Sequence, residues 1–177
     1  PVGGGLYAEL KGASSLYVIS NTLASNRAEY SGYGNGGGAY FTLTQEATVH
    51  VISNTIASNL ATDYGGGLYV VLNDAAFECY SNTLEYNKAA QIDGGGLYVS
   101  LDAGATTHLY YNKLFSNTAD TSGGGIYAML NTSTYMDIFS NTITDNHAES
   151  TNGGGLYASL DNGAYLNIQE NDILSNI

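Results

Sequence analysis

One string returns six times along this chain, and that return constrains its fold more than any other feature. Gly-Gly-Gly, then Leu, Ile or Ala, then Tyr begins at Gly3, Gly36, Gly65, Gly94, Gly123 and Gly153, at spacings of 33, 29, 29, 29 and 30 residues. A second string follows each copy: SNTLASNRA from Ser20, SNTIASNLA from Ser53, SNTLEYNKA from Ser81, YNKLFSNTA from Tyr111, SNTITDNHA from Ser140 and ENDILSNI from Glu170. Its first Asn stands at Asn21, Asn54, Asn82, Asn112, Asn141 and Asn171, and its second at Asn26, Asn59, Asn87, Asn117, Asn146 and Asn176. A fixed period of this size is the signature of a solenoid, in which each unit buries its apolar face only against its neighbours. The units span about 1–33, 34–62, 63–91, 92–120, 121–150 and 151–177 and make a single domain without a linker or an evident cap.

Inside each unit the apolar period is two, the mark of a half-buried strand. Leu6-Tyr7-Ala8-Glu9-Leu10 is matched by Leu68-Tyr69-Val70-Val71-Leu72 and Leu97-Tyr98-Val99-Ser100-Leu101. Where the first inward column shrinks to Ala39, the second grows to Phe41, which keeps the volume of that layer. A second strand carries the inward columns Leu16/Val49/Phe77/Thr107/Met136/Leu166 and Val18/Val51/Cys79/Leu109/Ile138/Ile168. A third, shorter one carries Leu23/Ile56/Leu84/Leu114/Ile143/Ile173. Three short strands per unit predict an all-β chain, a parallel β-helix (β-solenoid) of six coils, about 4.8 Å apart and roughly 29 Å long. The preference of parallel crossovers makes it right-handed. A leucine-rich repeat has a similar period, but no helical segment is present to build one.

The corners have their own chemistry. Triple glycine marks a sharp turn with close backbone approach. Asn at the same corner of every coil can stack, amide on amide, and small Ala28, Ala61, Ala89, Ala119 and Ala148 leave room beside them. The corner before the glycines varies most in length, being longest from Glu29 to Asn35, and is where binding loops would sit.

Charge excludes several partners. The 177 residues carry 16 Asp and Glu against 4 Lys and Arg, a formal net of -12. Lys11, Arg27, Lys88 and Lys113 cannot build a surface that tracks nucleic-acid phosphates or an anionic membrane. No apolar run approaches the roughly 20 residues of a membrane helix, so membrane insertion is not expected. Cys79 is the only cysteine, which rules out an internal disulfide, and its inward column makes it a buried small apolar residue. A start at Pro1 without Met or signal peptide fits a mature product or an excised segment.

Candidate sites are few. The outward column Tyr17, His50, Glu78, His108, Asp137, Asn167 could hold a divalent metal at His50, Glu78 and His108. The plainer reading is a set of cross-strand polar pairs, because two coils separate the histidines by about 9.6 Å. Glu29, Asp63, Asp93, Asp120 and Glu149 precede the glycines, where Ca²⁺ bridging competes with simple solvation. Tyr7, Tyr40, Tyr69, Tyr98, Tyr127 and Tyr157 form an outward ladder, either an aromatic stack that holds the coils or a lateral contact and sugar-stacking surface. Ile19, Ile52, Tyr80, Tyr110 and Phe139 form a column that turns either inward or outward. Asn131-Thr132-Ser133 is a lone glycosylation sequon. No acidic pair repeats at a glycosidase separation, and the basic residues fall in unrelated columns, so no catalytic residue or cofactor is assigned. The corner column Thr22/Thr55/Thr83/Lys113/Thr142/Asp172 is single and broken, unlike a flat ice-binding array.

The repeated GGG[LI]Y and [LIF]xxN pairs, as at Gly94 to Tyr98 and Leu114-Phe115-Ser116-Asn117, resemble the GGA[ILV] and FxxN repeats of bacterial polymorphic outer membrane proteins, which are autotransporter passengers. The third Gly stands where that family has Ala, and Leu or Ile mostly where it has Phe. The resemblance covers all six units and implies an extracellular or cell-surface role in adhesion or scaffolding, in a bacterium. Neither end of the array looks capped, and the two ends share nearly the same phase of the repeat. Pro1, Val2, Leu6 and Leu10 at one end and Ile168, Ile173, Asn176 and Ile177 at the other would then be assembly surfaces. Two expectations follow: a fibre subunit that polymerises head to tail with itself, or a segment of a longer adhesin that binds glycans or other surface proteins. A carbohydrate-active enzyme is the third and weakest reading.

Overall fold

A computed structural model describes residues 3–29 and 34–177. They form no helix. Twenty-three strands run in four parallel sheets that wrap a common core, each coil adding one strand to each sheet except that the last adds none to the fourth.

The first sheet comprises Leu6–Lys11, Ala39–Thr44, Leu68–Asn73, Leu97–Asp102, Ile126–Leu130 and Leu156–Leu160. The second comprises Ser15–Ile19, Thr48–Ile52, Ala76–Tyr80, Thr106–Tyr110, Tyr135–Phe139 and Tyr165–Gln169. The third comprises Thr22–Ala24, Thr55–Ala57, Thr83–Glu85, Lys113–Phe115, Thr142–Thr144 and Asp172–Leu174. Strand order follows coil order without exception, so each coil pairs only with its neighbours.

Register follows the repeat column by column. Leu6 faces Ala39, which faces Leu68, while Ala8 faces Phe41 and Phe41 faces Val70. Ala39 and Phe41 are both fully buried, so the small-for-large exchange is a packing compensation within one layer. Side chains on neighbouring strands stack in rows, and in the inner coils nearly every inward row is completely buried. The column Ile19, Ile52, Tyr80, Tyr110, Phe139 lies on the outer face, alternating with the buried Val18, Val51, Cys79, Leu109 and Ile138.

A fourth sheet extends the three-strand expectation. It is built from two-residue strands at Arg27–Ala28, Leu60–Ala61, Lys88–Ala89, Thr118–Ala119 and His147–Ala148, the alanines turned inward and largely buried. Here the interior is too thin for side chains. A Cβ on Gly66 would lie 2.4 Å from the Lys88 carbonyl carbon of the same coil, and one on Gly95 would lie 2.4 Å from the Thr118 oxygen. The third glycine packs on the second asparagine column: a Cβ on Gly96 would meet Asn117 Cγ at 3.1 Å and the Gly125 oxygen of the next coil at 2.6 Å. That contact is the physical reason an alanine cannot stand at the third position.

Candidate functional site

The two asparagine columns organise the corners between the second, third and fourth sheets. In the first column, the N–H of Asn54 donates to Asn82 Oδ1 at 2.8 Å, and Asn54 Nδ2 donates to the same oxygen at 3.0 Å. Nδ2 also reaches back 2.7 Å to the carbonyl of Val18 in the preceding coil. The pattern repeats through Asn82, Asn112 and Asn141 to Asn171, and starts at Asn21. The second column runs the same way from Asn26 through Asn59, Asn87, Asn117 and Asn146 to Asn176, with every N–H to Oδ1 distance between 2.9 and 3.0 Å. In the inner coils these amides are at most 2% exposed. The residue before each asparagine is left-handed, with φ between 52° and 59° at all twelve positions. Eight of the twelve are Ser, and the others are Tyr86, Tyr111, Asp145 and Glu170.

The outward polar column of the second sheet separates into two local networks. His50 lies flat on Tyr17, with ring centroids 4.3 Å apart, and its Nδ1 is 3.2 Å from Glu78 Oε2. His108 turns to Tyr110, its Nδ1 lying 3.0 Å from the hydroxyl. The Tyr110 hydroxyl donates to Asp137 Oδ2 at 2.6 Å, and Asn167 donates to the other oxygen at 2.9 Å. Burial, and then the Asp137 carboxylate it donates to, keep the Tyr110 phenol protonated well above the usual range. His50 and His108 therefore take different partners. Among the described residues, no three His, Cys, Asp or Glu side chains converge as a metal ligand set.

The tyrosine ladder is continuous. Tyr7, Tyr40 and Tyr69 meet edge to face, while Tyr69, Tyr98, Tyr127 and Tyr157 stack with centroids 4.9–5.0 Å apart. Tyr64, from the corner before the glycines, closes over Tyr98 at 4.9 Å. Stacked rings cover each other's faces, so this part of the ladder presents edges where sugar stacking needs faces. Burial pushes the Tyr69 phenol up to about 12 and raises Tyr98 further still, with the neighbouring tyrosines adding to both.

The carboxylates before the glycines are not uniformly solvated. Asp63 is buried and accepts from the Gly34 N–H at 3.2 Å. Asp93 accepts from the Thr121 hydroxyl and from the Ser122 N–H, the latter at 2.9 Å. Glu29 pairs with Arg27 at 2.6 Å, and Glu149 with Lys88 at 3.1 Å. Four of the five thus cap or pair with protein groups. Cys79 is buried, which pushes its thiol up to about 12, and its sulfur accepts from Asn82 Nδ2 at 3.2 Å.

The end coils differ from the inner ones. On the last coil Leu160, Ile168 and Ile173 are 47%, 45% and 42% exposed although their columns point inward, and Asn176 and Ile177 border them. On the first coil Leu6, Leu16, Val18 and Leu23 line an open depression of about 390 Å³, while Leu10 is already buried. Pro1 and Val2, also expected at this surface, lie outside the described residues.

One cluster was not anticipated from the sequence. Aromatic side chains gather outside the first asparagine corner, with Tyr110, Tyr111 and Phe139 edge to face, and outside the second corner, where Tyr86 meets Phe115 at 5.3 Å. Lys113 stands exposed between them. The available signal was departure from the repeat: Tyr for Ser, Lys for Thr and Phe for Ala. No protein-family model, no curated protein and no solved structure matches this chain.

Proposed function

We propose that this chain is a non-enzymatic structural protein whose coils stack head to tail into an extracellular fibre. The observation that carries the proposal is the polarity of the asparagine columns. Every Asn N–H in both columns donates toward the last coil, so the first coil presents the Oδ1 acceptors of Asn21 and Asn26, and the last coil presents the N–H donors of Asn171 and Asn176. The donors of one copy fit the acceptors of the next. Asn21 Nδ2 would then reach the Ile168 carbonyl of the other copy, as Asn54 reaches Val18 within one chain. The same docking covers Leu160, Ile168 and Ile173 with the apolar depression of the first coil. Contact of this kind is heterologous and does not close, so it extends into a filament.

The polar networks of the second sheet support a structural reading of that face, because His50 and Glu78 bond across one junction while Tyr110 and Asn167 both bond Asp137 across others. The extracellular setting rests on the resemblance to autotransporter passenger repeats. Negative-stain electron microscopy and sedimentation of the purified chain test the proposal. Filaments that shorten or vanish with Ile168→Glu are the expected result. Stable monomers at high concentration would sink the fibre and leave a module of a longer array.

A further inference from the structure

We infer that the outer face of the third sheet, together with the first asparagine corner beside it, binds an acidic oligosaccharide, with Lys113 pairing a sugar carboxylate and the rings of Tyr111, Phe139, Phe115 and Tyr86 stacking sugar rings. The site lies on the side of the rod and does not depend on end-to-end stacking.

Departure from the repeat is the first support. At the first left-handed position Ser20, Ser53, Ser81 and Ser140 give way to Tyr111 and Glu170, and at the second Ser25, Ser58, Ser116 and Ser175 give way to Tyr86 and Asp145, so the two aromatic replacements fall in neighbouring coils. Lys113 is the one cation in the column Thr22, Thr55, Thr83, Thr142, Asp172, and Phe115 the one aromatic in the column Ala24, Ala57, Glu85, Thr144, Leu174. All four changes fall on the exterior of two adjacent coils. Other departures in these columns are acidic, polar or aliphatic, so what sets these two coils apart is a grouping of three rings and a cation on one exterior, which the fold itself does not require.

Two of the exceptions also run against backbone preference. Bulky residues are rare at positive φ, yet Tyr86 has φ 53° and Tyr111 φ 59°. Their rings are 59% and 58% exposed, so core packing does not compensate.

Charge supplies the selectivity. Lys11, Arg27 and Lys88 are each paired with a glutamate, and Lys113 has no carboxylate partner among the described residues. On a chain of net charge -12, an anion finds one accommodating point on this face. Glu85 pairs in register with Phe115, and Asp145 follows Thr144 on its other side, which confines a ligand carboxylate to the Lys113 end and leaves acceptors for hydroxyls at the other.

Geometry selects a sugar. Phe115 is two strand residues from Lys113, roughly 7 Å away. The Tyr86–Phe115 and Tyr111–Phe139 pairs are edge to face, with interplanar angles of 77° and 85°. In an edge-to-face pair the ring that turns its edge to its neighbour keeps both faces clear of it, unlike a ring inside the parallel stack of the tyrosine ladder. A pyranose has a C–H face for such a ring and hydroxyls at its rim, and rigid Tyr platforms give contact area at low entropic cost.

Titration calorimetry with three probes tests the site: a galacturonic acid octamer, its methyl ester and polyglutamate. The variants are supplied by the repeat itself, Tyr111→Ser, Lys113→Thr and Phe115→Ala, so the fold tolerates them, and circular dichroism checks that it does. The octamer is expected to bind, Lys113→Thr to weaken it about tenfold or more and abolish its advantage over the ester, and each ring variant to weaken both alike. An octamer that does not bind at millimolar concentration, or binds all variants equally, overturns the proposal. Polyglutamate binding as tightly as the octamer, with no loss in the ring variants, also overturns it and marks a generic anion site.

Discussion

Asn117 accepts from the N–H and Nδ2 of Asn87 and donates to Asn146 Oδ1 and to the Leu84 carbonyl. Asn117→Ala strands these partners in a water-free interior, and unpaired buried groups cost about 1–3 kcal/mol each. A loss of at least about 3 kcal/mol in urea unfolding is expected. Asn176→Ala, at an end where water can replace the lost bonds, should cost about 1 kcal/mol. Glycines divide in the same way. Gly96→Ala forces a Cβ to within 2.6 Å of the Gly125 oxygen and should cost about 3 kcal/mol in the same assay. Gly104→Ala meets nothing within 4 Å and bears only the strain of φ +79°, about 1 kcal/mol. Had Gly96 been needed only for turning, the two costs would be equal.

Strand by strand, one inward row contains a misfit. Thr107 stands between Phe77 and Met136, fully buried, and its hydroxyl finds no hydrogen-bond partner in the protein. Thr107→Val keeps the shape and removes the orphan, so stability should rise by roughly 1 kcal/mol on denaturant unfolding. The tyrosine ladder has a pH consequence. Burial favours the neutral phenol and raises Tyr69 from 10.0 to about 12. A raised folded value means that this stability is complete below pH about 10 and is lost as pH climbs through about 12. Phenolate absorbance should therefore show tyrosines whose ionisation is delayed until the chain unfolds; a single normal titration of all sixteen would contradict it. At this scale the sequence was readable where its period was long enough. Five- and six-residue strands announce themselves by alternation, and the inward columns can be assigned from it. Two-residue strands such as Lys88–Ala89 cannot show a period, and the fourth sheet is legible only as the Ala that stands two residues after the second Asn of a coil, as Ala89 does after Asn87. Ring orientation at Tyr98 or Phe115 depends on neighbouring coils, which no single strand encodes. Lys113 was visible as an odd letter in a Thr column, but its aromatic neighbours come from three coils.

For the whole molecule, the strands of each coil pair only with those of the coils above and below, and each junction repeats the same asparagine, glycine and strand pairings, while a surface ion pair, Lys88–Glu149, reaches across two junctions. Excision of residues 94–122 would join Asp93 to Gly123 in phase. The five-coil product should fold with an unchanged β signature by circular dichroism. A chain lacking residues 94–108 joins Asp93 to Leu109, places strands where corners belong, and should not fold. The cross-section is thus independent of the number of coils. Copying errors that add or drop a full unit in the gene would change the reach of the protein by one fixed step, leaving its thickness and its side faces intact. Length is a quantity such a lineage can tune by counting, without redesigning a single contact.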